Sequence, residues 1–267
     1  IVITSGKGGV GKTTTTSNIG MSLARLGYST LLIDADVGLR NLDLLLGLEN
    51  RIIYTGLDVL NETCRLGQAI IQDKRQSKLA FFPLSSNRAE ISITSSQIKE
   101  LIELVKVDYE YILIDSPAGI DNGFQTAIEF ANEAIVVVTP EVPSIRDADR
   151  VIGILMAKGI DKINLIINRI RPNMVRTDDM MSIEDVTNIL GVSLLGVIPD
   201  SEKIIIASNR GEPIVLEDKN CLPGIAFDST ARRLNGESVS FLDFQNRNSR
   251  NPVKRIIGKL INRSNSS

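Results

Sequence analysis

The stretch Ser5–Thr14, SGKGGVGKTT, decides how this chain is read. Gly6, Gly11, Lys12 and Thr13 meet the spacing G-x-x-x-x-G-K-[ST]. An apolar run, IVIT from Ile1, precedes the loop, and a helix-compatible stretch from Thr13 to Leu26 follows it. That strand–loop–helix context separates a phosphate-binding loop from a chance glycine-rich turn. Glycines let backbone N–H groups converge on phosphate oxygens, and the helix N-terminus adds positive potential. Gly6, Gly8, Gly9, Val10, Gly11 and Thr14 are therefore expected to cradle a nucleotide's phosphates. Lys12 brings its charge to the β- and γ-phosphates, and the Thr13 hydroxyl ligates Mg2+.

Outward from the loop, apolar runs alternate with helical stretches. The runs are STLLIDAD from Ser29, LAFFPL from Leu79, YEYILIDSP from Tyr109, EAIVVVTPE from Glu133, INLIINR from Ile163 and VSLLGVIPD from Val192. Continuous apolar strands of this kind are buried on both faces, as in a parallel sheet. Helices are expected over TSSQIKELIELVK, over SIRDADRVIGILMAKG up to Gly159, and over SIEDVTNILG. The last carries Ser182 and Asp185 as a capping-box variant and Gly191 as a stop. This order predicts an α/β fold with a doubly wound, mostly parallel sheet flanked by helices, and ligands at the carboxyl ends of the strands.

Composition narrows the chemistry. At 267 residues the chain is long enough for one large domain with a buried core. Histidine is absent, which excludes His-based acid–base catalysis and His metal ligands. Cys64 and Cys221 lie far apart, which argues against a disulfide framework or a metal cluster and suits a reducing compartment. The net charge of −2 means that any basic function is local. No run approaches the ~18–20 apolar residues of a membrane span, and no secretory signal opens the chain. The missing initiator methionine suggests a trimmed N-terminus.

Asp115 ends the apolar strand of YILIDSP, where a carboxylate holds Mg2+ through water. Asn168 ends another strand, and its amide has the donor and acceptor to read an adenine edge; a turn residue before Pro172 is the other reading. Pro199, in VIPDSEKI, offers a second adenine wall through its backbone.

Lys7 is unusual, because Lys12 already serves the phosphates. Here the sequence resembles the deviant Walker A ATPases, in which a second loop lysine crosses a dimer interface to the partner's nucleotide. The alternative is a solvated loop lysine. The resemblance implies ATP and Mg2+ as ligands, an ATP-dependent homodimer, and catalytic roles for Lys7, Lys12, Asp36 and Asp115. Asp36 would position the attacking water and Asp34 would help organise Mg2+, with Ser116–Gly119 as a second switch. Longer matches, DADVGLRNLDLLLGLENR, DSPAGIDNG, PEVPSIRDADRVIGIL and SNRGEPIVL, are similar to the MinD family of septum-site ATPases, most of all to plastid and cyanobacterial types. That implies slow hydrolysis stimulated by a MinE-like activator, with a MinC-like division inhibitor as a further partner. Arg146, Asp147, Asp149 and Arg150 are the residues proposed for part of that docking surface, a solvated helix face being the alternative. A ParA-like DNA-partitioning ATPase is the competing function; no specific nucleic-acid partner is expected otherwise.

The segments divide as a domain over 1–235, a polar linker over 236–251 and a tail over 252–267. Stepping about 100° per residue puts Val253, Ile256, Ile257, Leu260 and Ile261 within an arc of about 140°. Lys254, Arg255, Lys259 and Arg263 fall opposite, which predicts a basic amphipathic helix on an anionic membrane. A core helix and a DNA-binding tail are the other readings. The preceding linker weighs against the first, and the aliphatic stripe against the second. The expected location is the cytoplasm or plastid stroma, peripheral on the inner face of the membrane.

Overall fold

β-Branched runs bounded by turn residues become strands because both of their faces find helices to pack against. The computed structural model describes residues 1–36, 41–85, 94–217 and 220–242. The strands are β1 (Val2–Thr4), β2 (Thr30–Asp34), β3 (Ile71–Gln72), β4 (Leu79–Pro83), β5 (Tyr111–Asp115), β6 (Glu133–Val138), β7 (Lys162–Ile170) and β8 (Ser193–Pro199). They form one eight-stranded sheet in the order β3-β4-β2-β5-β1-β6-β7-β8. Every pairing is parallel except β3 with β4. All seven expected strands are present. β3 was not expected: two residues carry no periodic signal, and its pairing with the edge of β4 is a tertiary choice.

The helices are α1 (Lys12–Arg25), α2 (Leu42–Leu45), α3 (Gly56–Leu60), α4 (Leu66–Ala69), α5 (Ser95–Val105) and α6 (Asn122–Ile128). α7 (Val142–Ala157), α8 (Pro172–Arg176), α9 (Ile183–Leu190), α10 (Glu202–Asn209) and α11 (Leu222–Leu234) complete the set. Ser182 and Asp185 form the expected capping box of α9, and Gly191 ends it at φ 63°. Strand residues alternate between two cores. Leu31, Ile33, Phe82 and Leu165 meet α5, α6, α7 and α9 on one face; Leu32, Phe81 and Ile166 meet α1 and α11 on the other. α1 lies low on the sheet because Gly20 has no side chain; an added Cβ would overlap the side chain of Leu32.

Strand order sets the position of the site. From β1 the chain moves to β2 on one side of the sheet and later returns to build β6, β7 and β8 on the other. The crevice at such a reversal, at the carboxyl ends of the strands, is where ligands bind in open α/β sheets. The loop Ser5–Gly11 leaves β1 at that point.

The described part of the expected linker is held to the domain. Arg233 donates to the carbonyls of Leu195 at 2.6 Å and Val239 at 3.1 Å, and its guanidinium stands 4.1 Å over the Phe241 ring. Burial lowers this guanidinium to about 10. The expected membrane residues Val253 to Ile261, and residues 37–40 after Asp36, lie outside the described residues. Among the described residues, no helix is long and apolar enough to cross a membrane.

Candidate nucleotide-binding site

The loop is built by close approaches that only glycine permits. Gly11 sits at φ 97° as the N-cap of α1, and a Cβ there would overlap the Asn168 amide. At Gly6 a Cβ would overlap the backbone of Asp147 in α7. Ser5 Oγ donates to the Lys7 carbonyl at 2.8 Å, and the Gly119 N–H donates to the Ser5 carbonyl at 3.1 Å. The loop is thus braced from two neighbouring strands' ends before any ligand arrives. No side chain caps α1, and its first turn holds no acidic residue. Its leading N–H groups, which a helix leaves without internal partners, are open to an anion.

Gly6→Ala is expected to shift the loop off α7, because a helix backbone cannot give way as a side-chain end can. Nucleotide affinity should fall at least about tenfold, an effect of about 1.4 kcal/mol. Isothermal titration with ATP checks it, and unchanged affinity would contradict the packing described.

Lys7, Gly8 and Gly9 are exposed, whereas Lys12 is 9% exposed. Burial lowers the Lys12 ammonium, and the charges of Asp115 and Asp36 oppose that shift. Asp115 is buried, and Thr16 Oγ1 donates to it at 3.2 Å. Burial, then the charge of Asp34, raises Asp115 to about 7, while Thr13, Lys12 and Thr16 hold it down. Asp34 is raised to about 6, first by burial, against N–H groups of Leu42, Asp36 and Asn41. Two buried carboxylates beside one lysine carry more negative charge than the lysine offsets. With hydroxyl and carboxylate oxygens as the donors, the site fits a hard divalent cation such as Mg2+.

The predicted residues do not all converge. Lys12, Thr13, Asp34, Asp36 and Asp115 lie close enough to act on one another's charge, Lys12 with Asp115 and Asp36, and Asp115 with Asp34 and Thr13. The Asp34 carboxylate accepts from the N–H groups of Asp36 at 3.0 Å, Asn41 at 3.3 Å and Leu42 at 3.2 Å, so its oxygens hold Asp36 and the start of α2. Asn168, the expected base reader, also contacts the phosphate loop. Its Nδ2 donates to the Val10 carbonyl at 2.8 Å and its Oδ1 accepts from the Arg169 N–H at 2.9 Å. The amide clamps the phosphate loop, and the missing Cβ of Gly11 makes room for it. Pro199 is buried at the end of β8, in register with Ile170. Arg146, Asp149 and Arg150 are exposed on α7, but Asp147 is half-buried under Gly6 and is not displayed with them.

Two residues escaped the sequence reading. Thr16 is one of a run of threonines, Thr13 to Thr16, and nothing in that run says which faces Asp115. Glu141 accepts from Lys7 Nζ at 3.5 Å across 134 positions of chain. No local pattern announces such a pair.

Residues 1–214 match the CobQ/CobB/MinD/ParA nucleotide binding domain family. The chain is 66% identical over 267 residues to a MinD-type septum site-determining protein of Emiliania huxleyi, covering 100% of this chain and 98% of that one. Among solved structures, the MinC:MinD cell division protein complex of Aquifex aeolicus superposes with a TM-score of 0.83 at 49% identity, covering 90% of this chain and 96% of that chain. MinD of Pyrococcus horikoshii OT3 complexed with Mg-ADP gives 0.78 at 30% identity, covering 88% and 94%. A braced phosphate loop, a buried acid pair and this extent of identity agree, and the chain belongs to the MinD family of septum site-determining proteins.

Proposed function

We propose that this protein is an ATPase that takes part in placing a division site and moves on and off a membrane as it binds and hydrolyses ATP. The observation that carries this is the division of labour between two lysines. Lys12 is buried against Asp115, while Lys7 stands exposed on the rim, 3.5 Å from Glu141. A rim lysine that the pocket floor does not need is suited to a second copy's nucleotide.

Held there, Mg2+ would supply charge stabilisation at the phosphates, with Thr13 and Asp115 as its protein oxygens. This chain's own residues supply the rest. The loop N–H groups and Lys12 orient the phosphates, and Asp36 positions water. Thr16 keeps the Asp115 carboxylate aligned. With no histidine and no strong base in the pocket, the rate rests on positioning and charge, hence is slow without an activator. A MinE-like activator and a MinC-like inhibitor are the proposed partners; the Aquifex aeolicus relative is known in a MinC:MinD complex. The similarity to an algal relative supports a plastid stroma location, on the inner face of the membrane.

Sedimentation with anionic vesicles in ADP, ATP and a non-hydrolysable analogue tests the cycle. Binding is expected only with the triphosphates, and nucleotide-independent binding sinks the gating. Ile257→Glu is expected to remove vesicle binding and leave ATP affinity unchanged, because a carboxylate in the acyl boundary is costly while every residue of the phosphate loop is kept. The same assay with non-specific DNA in place of vesicles separates this reading from a DNA-partitioning ATPase.

A further inference from the structure

A cavity of about 580 Å³ lies beside the phosphate loop and outside it. Met174, Met180 and Met181 form an apolar wall. Methionine surface adapts to aliphatic side chains of varied shape. Glu141, Asp178 and Asp179 put carboxylates on the rim, and Asp185 adds another from the start of α9. Of the arginines lining it, Arg169 and Arg171, the second is paired with Asp200 at 2.7 Å. The cavity is therefore lined by methionine and valine and by more acidic than basic side chains. A nucleotide's phosphates have no use for such a lining; an aliphatic segment with basic flanks does.

The chain carries such a segment. Between Val253 and Arg263 it has Val, Ile and Leu side chains, Lys254, Arg255, Lys259 and Arg263, and no acidic residue. The geometry places its tether within reach. Arg233 holds Val239 and Phe241 on the domain beside β8, and Phe241 packs on the same core as Val175, Met180 and Met181. From the Leu194–Leu165 pair to the Ile170–Pro199 pair the sheet rises roughly 15 Å. Residues 243–251 span at most ~30 Å when extended.

The cavity also adjoins the nucleotide machinery. Glu141 belongs both to its rim and to the pair with Lys7, and Val142 beside it is 62% exposed. A second copy that reaches Lys7 must come down on this same rim. We propose that the cavity is a parking site for the chain's own basic tail, which a second copy displaces when it docks. This rests on the reading of the tail as the membrane anchor. Parked, the aliphatic residues are withheld from lipid; displaced, they are free to enter it. Pairing then both doubles the anchors and uncovers them.

The test uses the full chain with Cys64→Ser, Met180→Cys and Ile257→Cys, oxidised at low concentration. An intramolecular disulfide is expected with Mg-ADP, reduced at least about fivefold by a non-hydrolysable ATP analogue. Ile53→Cys in place of Met180→Cys is the control: Ile53 is 80% exposed near β3, at the opposite edge of the sheet. No Met180 link, or an equal link to Ile53, overturns the proposal and leaves the cavity to a helix from another protein. Separately, Asp178→Lys with Asp179→Lys is expected to raise binding to vesicles of equal parts phosphatidylglycerol and phosphatidylcholine in ADP by about fivefold, as a tail held back most of the time becomes free. Unchanged binding also counts against parking. A link that forms while Ile257→Glu keeps vesicle binding defeats the anchor reading and leaves parking intact. A missing link while Ile257→Glu loses vesicle binding does the reverse.

Discussion

Lys12→Ala is expected to abolish ATP binding, with a loss of at least about 10²-fold in titrations of a fluorescent ATP analogue. The lysine is 9% exposed and sits with Asp115 and Asp36 at the start of α1. Hydrogen bonds to charged groups contribute about 1.5–3 kcal/mol, and each 1.4 kcal/mol is tenfold. A second effect adds to this. Asp34 and Asp115 are already held above the ordinary carboxylate range by burial, to which the charge of Asp36 adds at Asp34 and the charge of Asp34 at Asp115. Removing the nearby cation leaves Asp115 with less to offset it, so a polyanion loses an attractive charge beside a buried carboxylate. Lys12→Arg keeps the charge but enlarges the head in a buried position, so it is expected to restore little. Affinity within a few-fold of the parent for Lys12→Ala would refute the phosphate assignment.

Lys7→Ala is expected to act in the opposite pattern. Its one described ionic contact, with Glu141 at 3.5 Å, joins side chains 45% and 55% exposed. Exposed pairs of this kind contribute about 0–1 kcal/mol, so the thermal midpoint of the single chain should barely move. ATP binding to the single chain should also persist, because Lys12 and the loop N–H groups remain. What should disappear is ATP-dependent dimerisation, followed by analytical ultracentrifugation. With it goes vesicle capture, by ~10²-fold or more, since two weak anchors on one body gain that much in effective concentration. If Lys7→Ala dimerises with ATP as the parent does, the rim lysine has no role in trans. If instead it loses ATP binding as a single chain, the lysine serves its own nucleotide.

Much of the fold was legible because the strands are short, continuous and β-branched. VIT, TLLID and EAIVVV have both faces covered, so hydrophobicity alone marks them. The phosphate loop was legible for a related reason. Its backbone must bend at Gly11 and pass close at Gly6, and both needs leave glycines at fixed spacing. Ser182 and Gly191 likewise announce the ends of α9, because caps are local chemistry.

Residues whose function depends on a partner far away in the chain were not legible. Asn168 has a side chain able to read a base, and its sequence context allowed that. Only the folded chain brings the Val10 carbonyl within 2.8 Å of the amide and ties the side chain to the loop. Asp147 stands in a charged helix start with Arg146 and Arg150, yet the approach of Gly6 removes it from the displayed face. Glu141 read as an ordinary residue before a proline-containing helix. Its pairing with Lys7 and its place on the acidic rim arise only where β1 and β6 lie side by side.

The sequence by itself thus determined seven of the strands and the glycine-rich loop, because each rests on local periodicity or backbone freedom. Tertiary structure alone decided which threonine steadies Asp115, that Asn168 serves the loop, and that an acidic, methionine-lined cavity opens next to Lys7. Those are facts of distance between segments, and strand order, which no local pattern encodes, sets those distances.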